Sequence, residues 1–263
     1  MGALELKLRK LRGFIRGCSS VVVAFSGGVD SSVLAAVSFK ELGVKAVAVT
    51  LDSPTLPRSE LSAARRTARL IGIRHVVVRH SELSDKSFVI NSRERCYHCK
   101  KALSSRLKSF ALKKNLTCVL EGTNASELSG HRPGFRALSG TSVLSPLAVL
   151  GFTKEDVRVV ARKLGLPNHD KPSSACLSSR IPYGTRITAR LLRKVEAAED
   201  YLKRLGVRQV RVRCFGELAV IEVWPDDFSL VTENSKCVAR RFNLLRFSRV
   251  TLDLSGYRTG SMD

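Results

Sequence analysis

Val21-Val22-Val23-Ala24-Phe25-Ser26-Gly27-Gly28-Val29-Asp30-Ser31-Ser32 joins a β-branched run to a Gly-Gly pair, and then to a segment that sets Val33, Leu34 and Val37 on one helical face. The order is strand, tight loop, helix. Paired glycines let backbone N–H groups approach an anion closely, and the following helix adds its dipole and its unpaired donors. Phosphate is the natural ligand of this arrangement, which makes Ser26, Gly27, Gly28, Asp30 and Ser31 the candidate residues of a nucleotide site. The loop lacks the Gly-Lys-Ser/Thr ending of a Walker A loop, so it does not suggest a clamp for γ-phosphoryl transfer. The plainer alternative is a glycine turn with Asp30 and Ser31 as helix caps.

Outward from this loop, strands alternate with helices. Residues 44–52 read as a strand, 58–71 as a helix, 75–78 as a strand, 100–113 as a helix, and 117–120 as a strand entering Glu121-Gly122-Thr123-Asn124. Near-continuous apolar strands in this alternation predict an α/β fold, with a parallel sheet covered on both faces and a ligand crevice at the strands' C-terminal ends. Asp52, Gly122, Thr123 and Asn124 all fall at such ends. Thr153-Lys154-Glu155-Asp156 predicts a capping box that opens a helix running to about residue 164. A loop rich in Pro, Ser and Gly follows over 167–184. After Thr188 a small α+β unit is expected: a helix to about 205, strands over 207–215 and 218–224, a helix near 227–244 and a last strand over 250–254. The predicted division is therefore 1–184 and 185–263.

The 263 residues suffice for one large or two modest domains. With 45 Lys+Arg against 23 Asp+Glu the net charge is +22, spread along the chain without a basic arm or tail, which favours polyanionic ligands and admits nucleic acid as a partner. Lys7, Arg9, Lys10 and Arg12 alternate with leucines as a basic first helix rather than a signal peptide. No stretch approaches the roughly 20 apolar residues of a membrane span, so no membrane partner is expected. Seven cysteines beside a nucleotide loop suggest a reducing cytoplasm and thiols rather than a disulfide framework.

The cysteines divide by context. Cys18, Cys118, Cys214 and Cys237 lie among apolar or helical residues and read as packing. Cys96-Tyr97-His98-Cys99, flanked by Arg93, Arg95, Lys100 and Lys101, lies where cations favour thiolate, the form that binds metal or attacks. A zinc site would need a second such pair, which the sequence lacks. Cys176 is a lone thiol in a polar loop, poor material for packing. Together Cys96, Cys99 and Cys176 are a ligand set for a [4Fe–4S] cluster with one iron open; a redox dithiol and inert surface thiols are the alternatives. In the small unit, alternation sets Val210 and Val212 on one face and Arg211 and Arg213 on the other, ~7 Å apart. That is either a two-pronged anion clamp, with Arg180 and Glu222 at the same site, or the solvated face of a hairpin.

Taken together, Ser26-Gly27-Gly28-Val29-Asp30-Ser31, Glu94-Arg95-Cys96-Tyr97-His98-Cys99-Lys100, Gly122-Thr123-Asn124, Arg132-Pro133-Gly134, Ser145-Pro146-Leu147, the helix start at Thr153, residues 171–184 and Arg211-Val212-Arg213 resemble one family over nearly the whole chain. The phosphate loop resembles that of the PP-loop ATP pyrophosphatases, and the 171–184 block narrows this to LarE-type ATP-dependent sulfur transferases, which make the nickel-pincer cofactor of lactate racemase. The chain departs from the family after Gly122-Thr123-Asn124, where Ala125-Ser126-Glu127 stand in place of the usual acidic residues. The resemblance implies an adenine nucleotide alpha hydrolase-like PP-loop domain that binds ATP, with Mg²⁺ near Asp30. It also implies a pyridinium dicarboxylate mononucleotide as substrate, adenylated and then converted to a thiocarboxylate, with Arg211 and Arg213 on its phosphate. Members with one cysteine at the position of Cys176 give up its sulfur and become dehydroalanine. Members with three cysteines resemble [4Fe–4S] enzymes fed by a sulfide donor, and this chain has all three. A homo-oligomer is expected. The rival within the superfamily is a tRNA thiolase, which would account for the charge but is opposed by the absence of a recognisable RNA-binding module or zinc-binding pairs. A non-enzymatic nucleotide-binding scaffold and an ammonia-using amide synthetase are weaker rivals, the latter because it leaves the cysteines unexplained.

Overall fold

The computed structural model describes residues 2–128, 141–172 and 174–258. Arg132-Pro133-Gly134 and Ser173 of the sequence motifs lie outside the described residues. The chain forms two compact units, Met1–Ser81 with Cys96–Ser174, and Glu82–Arg95 with Ala175–Asp263.

The first unit is built on a five-stranded parallel sheet in the order β3-β2-β1-β4-β5, with β1 at Val21–Ala24, β2 at Ala46–Asp52, β3 at Arg74–Arg79, β4 at Cys118–Leu120 and β5 at Val143–Leu144. β1 lies at the centre, and its valines alternate between two cores. Val21 and Val23 enter the layer formed with α1 (Ala3–Gly17), α2 (Val29–Leu42), α3 (Arg58–Ile71) and the helix over Lys154–Lys163, whereas Val22 enters the layer formed with Leu107 and Ala111 of the helix over Arg95–Lys113. Both faces of the sheet are thus covered, as the apolar strands require. Because the strand order reverses between β1 and β4, their C-terminal ends diverge and open the crevice in which such sheets bind ligands. In chain order the remaining helices here are α5 (Arg95–Lys113), α6 (Pro146–Val149) and α7 (Lys154–Lys163). The capping box of α7 is formed: the Thr153 hydroxyl accepts from the Asp156 N–H, and the Asp156 carboxylate accepts from the Thr153 N–H.

The second unit holds a three-stranded sheet in which β6 (Val210–Phe215) pairs antiparallel with β7 (Leu218–Val223), and β7 pairs parallel with β8 (Arg249–Leu252). Helix α8 (Ala189–Arg204) buries Leu192, Val195, Ala198 and Leu202. The expected single helix near 227–244 is two, α9 (Phe228–Glu233) and α10 (Ser235–Leu244), broken where Asn234 leaves helical geometry. Residues 82–95, which include α4 (Lys86–Val89), belong to this unit because Asn91 is fully buried among its carbonyls. Its side-chain Nδ2 donates to Ile181 at 3.3 Å, Pro182 at 2.7 Å and Thr185 at 2.9 Å.

All seven cysteines are thiols. Burial, then a hydrogen bond with Cys118, pushes the Cys18 thiol up to about 12, and burial likewise raises Cys214 against the opposing charge of Lys194, so both behave as apolar fillers. Cys237 is a correction: it is exposed, because α10 turns Val238 and Phe242 inward and leaves the preceding residue outside.

One buried polar link spans the sheet interior. The Thr50 hydroxyl donates to the Phe25 carbonyl at 2.5 Å, and so accepts from Nε2 of His75 at 2.8 Å. Burial, and then the charge of Arg65, hold His75 below its ordinary value of 6.5. The unfolded chain therefore takes up this proton first, and stability falls as pH drops below about 6.5. Urea denaturation across pH 8 to 5 should show a steeper loss of stability in the wild type than in His75→Gln; parallel curves would exclude this proton as the cause.

Candidate active site

The turn between β1 and α2 is shaped by steric exclusion. Gly27 sits at φ +73°, and a Cβ built on it would lie 2.7 Å from the Cα of Ala64 in α3. Only glycine meets both conditions. Across the crevice, a Cβ on Gly122 would stand 3.0 Å from the Ser31 nitrogen, so the end of β4 rests directly on the first turn of α2. Side chains close the loop: the Ser26 hydroxyl accepts from the Gly28 N–H at 3.2 Å, and the Ser31 hydroxyl donates to the Gly28 carbonyl at 3.1 Å. The result is a backbone nest at a helix N-terminus, with its shape set before any ligand arrives.

Charged groups ring this nest. Asp30 accepts from Nζ of Lys154 at 2.5 Å and from Nδ2 of Asn124 at 2.9 Å. Asn124 is fully buried, and its Oδ1 has no partner among the described residues. A carboxylate beside an unsatisfied amide oxygen suits a hard cation that takes its other ligands from phosphates and water, so these residues fit Mg²⁺. Glu121 at the end of β4 accepts from both the N–H and the hydroxyl of Thr123, from the hydroxyl of Ser145, and faces Lys100 of α5 at 3.6 Å. Asp52 at the end of β2 pairs with Arg58 at 2.5 Å.

Cys96 and Cys99 lie on the first turn of α5, three residues apart and so on one helix face, which begins five residues before its predicted start. Among the described residues no three His, Cys, Asp or Glu side chains gather to hold a metal ion. The two thiols have the donor chemistry of an iron–sulfur site.

In the second unit Cys176 precedes the turn Leu177–Arg180, and its sulfur lies 2.9 Å from the Ser178 hydroxyl. Its backbone is held by Arg180, which is 1% exposed. Nη1 of Arg180 donates to the carbonyls of Ala175 at 2.7 Å and Cys176 at 2.8 Å, while Nε and Nη2 form a fork on Glu199 of α8. Arg95 donates to the Ser178 carbonyl at 3.1 Å and to Oδ1 of Asn91 at 2.6 Å. Arg213 makes a fork on Glu222 with two 2.8–2.9 Å bonds and donates to the Ser179 carbonyl at 2.8 Å. Glu222 stands opposite Arg211 in the β6–β7 register and reaches Arg213 diagonally, two residues along β6. Arg211 lies over the ring of Tyr257, 5.2 Å from its centroid. Burial, and then the charge of Arg180, press its guanidinium below its ordinary value. The row of Arg211 and Arg213 is therefore not a solvated hairpin face; both side chains are buried.

The structure brings Ser26, Gly27, Gly28, Asp30, Ser31, Gly122 and Asn124 together at one crevice, and Cys176, Arg180, Arg213 and Glu222 around one loop. Sequence reasoning missed Lys154, seen only as part of a helix start, and Glu199, an ordinary-looking acid on α8. Lys154 meets its partner across 124 positions, and Glu199 meets Arg180 across the turn that leads into α8.

Residues 15–205 match the family model for asparagine synthase. A Synechocystis sp. protein of uncharacterised function, slr1717, is 41% identical over 99% of this chain and 98% of its own. Pyridinium-3,5-bisthiocarboxylic acid mononucleotide synthase of Lactiplantibacillus plantarum is 35% identical over 100% of this chain and 96% of its own. An NH(3)-dependent NAD(+) synthetase of Finegoldia magna is 29% identical over 65% of this chain and 69% of its own.

Gly27→Ala should lower stability by about 1–2 kcal/mol from its backbone conformation alone, before the contact with Ala64 is counted, while Gly28→Ala should change little, its Cβ meeting only the movable Ser26 side chain. Equal unfolding midpoints for the two variants would contradict this. Arg213→Ala removes one arm of a buried ion pair and should cost about 3–5 kcal/mol, measured by urea denaturation.

Proposed function

The chain belongs to the LarE-type family of ATP-dependent sulfur transferases within the PP-loop fold, and we propose that its substrate is a pyridinium-3,5-dicarboxylate mononucleotide. Its product would be the thiocarboxylate used in nickel-pincer cofactor synthesis. The observation that carries this is the pairing, in one chain, of a preformed phosphate nest with a thiol on a loop whose backbone is held by a buried arginine.

In this proposal the pyrophosphate of ATP occupies the nest of Ser26, Gly27, Gly28 and Ser31. Asp30 would hold Mg²⁺, which supplies charge neutralisation on the leaving pyrophosphate. Lys154 exchanges Asp30 for a phosphate oxygen, and Asn124 stays to orient the carboxylate. A substrate carboxylate oxygen attacks the α-phosphorus and pyrophosphate leaves, giving an acyl adenylate. A sulfur nucleophile near Cys176 then attacks the acyl carbon and expels AMP; where that sulfur is the Cys176 thiol itself, the thioester gives the thiocarboxylate when the Cβ–S bond breaks with loss of the Cα proton, leaving dehydroalanine at residue 176. Arg211, with Arg213, takes the mononucleotide phosphate; an anion there would relieve the electrostatic cost of the buried guanidinium. A [4Fe–4S] cluster, held by Cys96, Cys99 and Cys176 and renewed by a sulfide donor, belongs to this proposal on the strength of the three thiols alone; when bound it would supply a replaceable sulfide. Asp52 belongs to the proposed nucleotide site, and Arg180 serves the substrate site through the Cys176 loop. No described helix is long and apolar enough to cross a membrane. A cytoplasmic homo-oligomer accompanies the proposal.

Asp30→Asn should abolish pyrophosphate release, whereas Cys176→Ala should retain it and lose thiocarboxylate formation. Arg211→Ala should weaken mononucleotide binding by about 1.5–3 kcal/mol and leave ATP binding unchanged. Iron analysis of anaerobically purified protein and the mass of residue 176 after turnover distinguish a cluster from surrender of the cysteine sulfur. Saturable tRNA binding without mononucleotide binding would overturn the assignment.

A further inference from the structure

Asn168 lies just after α7, in a segment with no chemistry of its own in the proposed reaction. Its side-chain Nδ2 donates to the Gly27 carbonyl at 3.0 Å and to the Ser32 hydroxyl at 2.9 Å. The oxygen of the same amide, Oδ1, is buried and has no partner among the described residues, so the side chain is anchored by its donor end. Three residues on, Nζ of Lys171 bonds to Glu60 at 2.6 Å, one turn of α3 before the Ala64 that closes on Gly27. One short segment therefore grips the Gly-Gly turn from the carbonyl side and from the helix beneath it.

The grip acts on the one soft coordinate of the nest. A peptide between two glycines can rotate with little steric cost, because neither neighbour carries a Cβ to resist it. The carbonyl of Gly27 and the N–H of Gly28 belong to that one peptide and point in opposite directions. Tying the carbonyl to Asn168 aims the N–H at the Ser26 side of the loop, where it donates to the Ser26 hydroxyl at 3.2 Å. Without Asn168 only the Gly28 N–H bond to the Ser26 hydroxyl resists a turn of this peptide that would point a carbonyl toward the phosphates. Ser32, fully buried, carries the same restraint into the first turn of α2.

We propose that Asn168 is a positioning residue for the phosphate loop, locking the Gly27–Gly28 peptide so that the loop presents donors to ATP. This rests on the loop's being the ATP site. The test measures ATP binding to the full chain by calorimetry, without mononucleotide, in wild type, Asn168→Ala, Asn168→Asp and Asn168→Ser, alongside urea denaturation and the kcat and KM of pyrophosphate release. Loss of the donor should weaken ATP by about 2- to 12-fold in Asn168→Ala, the equivalent of one hydrogen bond. Asn168→Asp, similar in size but without the donor, should bind at least as weakly, and Asn168→Ser, which keeps a donor, should recover part of the affinity. KM for ATP should rise more than kcat falls. ATP affinity equal to wild type in both Asn168→Ala and Asn168→Asp would overturn the inference, as would weakening in proportion to lost stability across all three variants. Should Asn168→Ala fail to fold, Asn168→Asp against Asn168→Ser decides the matter. Failure of the wild type itself to bind ATP would instead remove the nucleotide reading on which the inference stands.

Discussion

The first unit depends on a place where two backbones come closer than any side chain allows. At the C-terminal ends of β1 and β4, Gly27 rests on Ala64 and Gly122 on the first turn of α2. A Cβ at either point would push α2 or α3 away from the sheet, and with them the apolar layer formed by Val33, Leu34, Ala64 and Ala68. The same closeness keeps Cβ atoms off the Gly27–Gly28 turn at the N-terminus of α2, where the phosphates of the proposed nucleotide site would lie. Packing and ligand chemistry therefore share one requirement, and the fold cannot relax it without losing both.

Charge in the two units is handled differently. Around the phosphate nest, Asp30 and Lys154 neutralise one another while remaining partly exposed, so both can change partners when a ligand brings its own charges. In the second unit the ion pairs of Arg180 with Glu199 and of Arg213 with Glu222 are almost wholly buried. Burial of such pairs gives little net stability, but it makes their rearrangement costly and so holds the carbonyls they touch in one place. The fixed pairs hold the loop of Cys176, the thiol proposed to lie at the sulfur-transfer step. The exchangeable pair borders the loop proposed to accept and release a nucleotide.

Several elements were legible from local pattern. The β-branched run before Gly27, the helix over Arg58–Ile71 and the capping box at Thr153 all follow from steric rules acting over a few residues. Helix α5 starts five residues before the apolar pattern indicates, because a Cys-Tyr-His-Cys turn has no strong helix pattern of its own. The break at Asn234 was missed since α9 and α10 carry compatible periodicity on either side of it. Cys237 is exposed beside the buried Val238 for a related reason: one residue of rotation about a helix separates core from solvent.

The sequence by itself determined the parallel α/β architecture, the phosphate loop and the residues at the ends of β1 and β4, because period-two and helical patterns and the glycine requirement act within short stretches of chain. Only the tertiary structure decided which charges meet. Lys154 reaches Asp30 across 124 positions, Asn168 reaches Gly27 across 141, and Glu222 meets Arg213 diagonally across a hairpin. Such pairings depend on the packing of α7 against α2 and on strand register, whose geometry is the sum of many apolar contacts, so no local pattern in the chain records them.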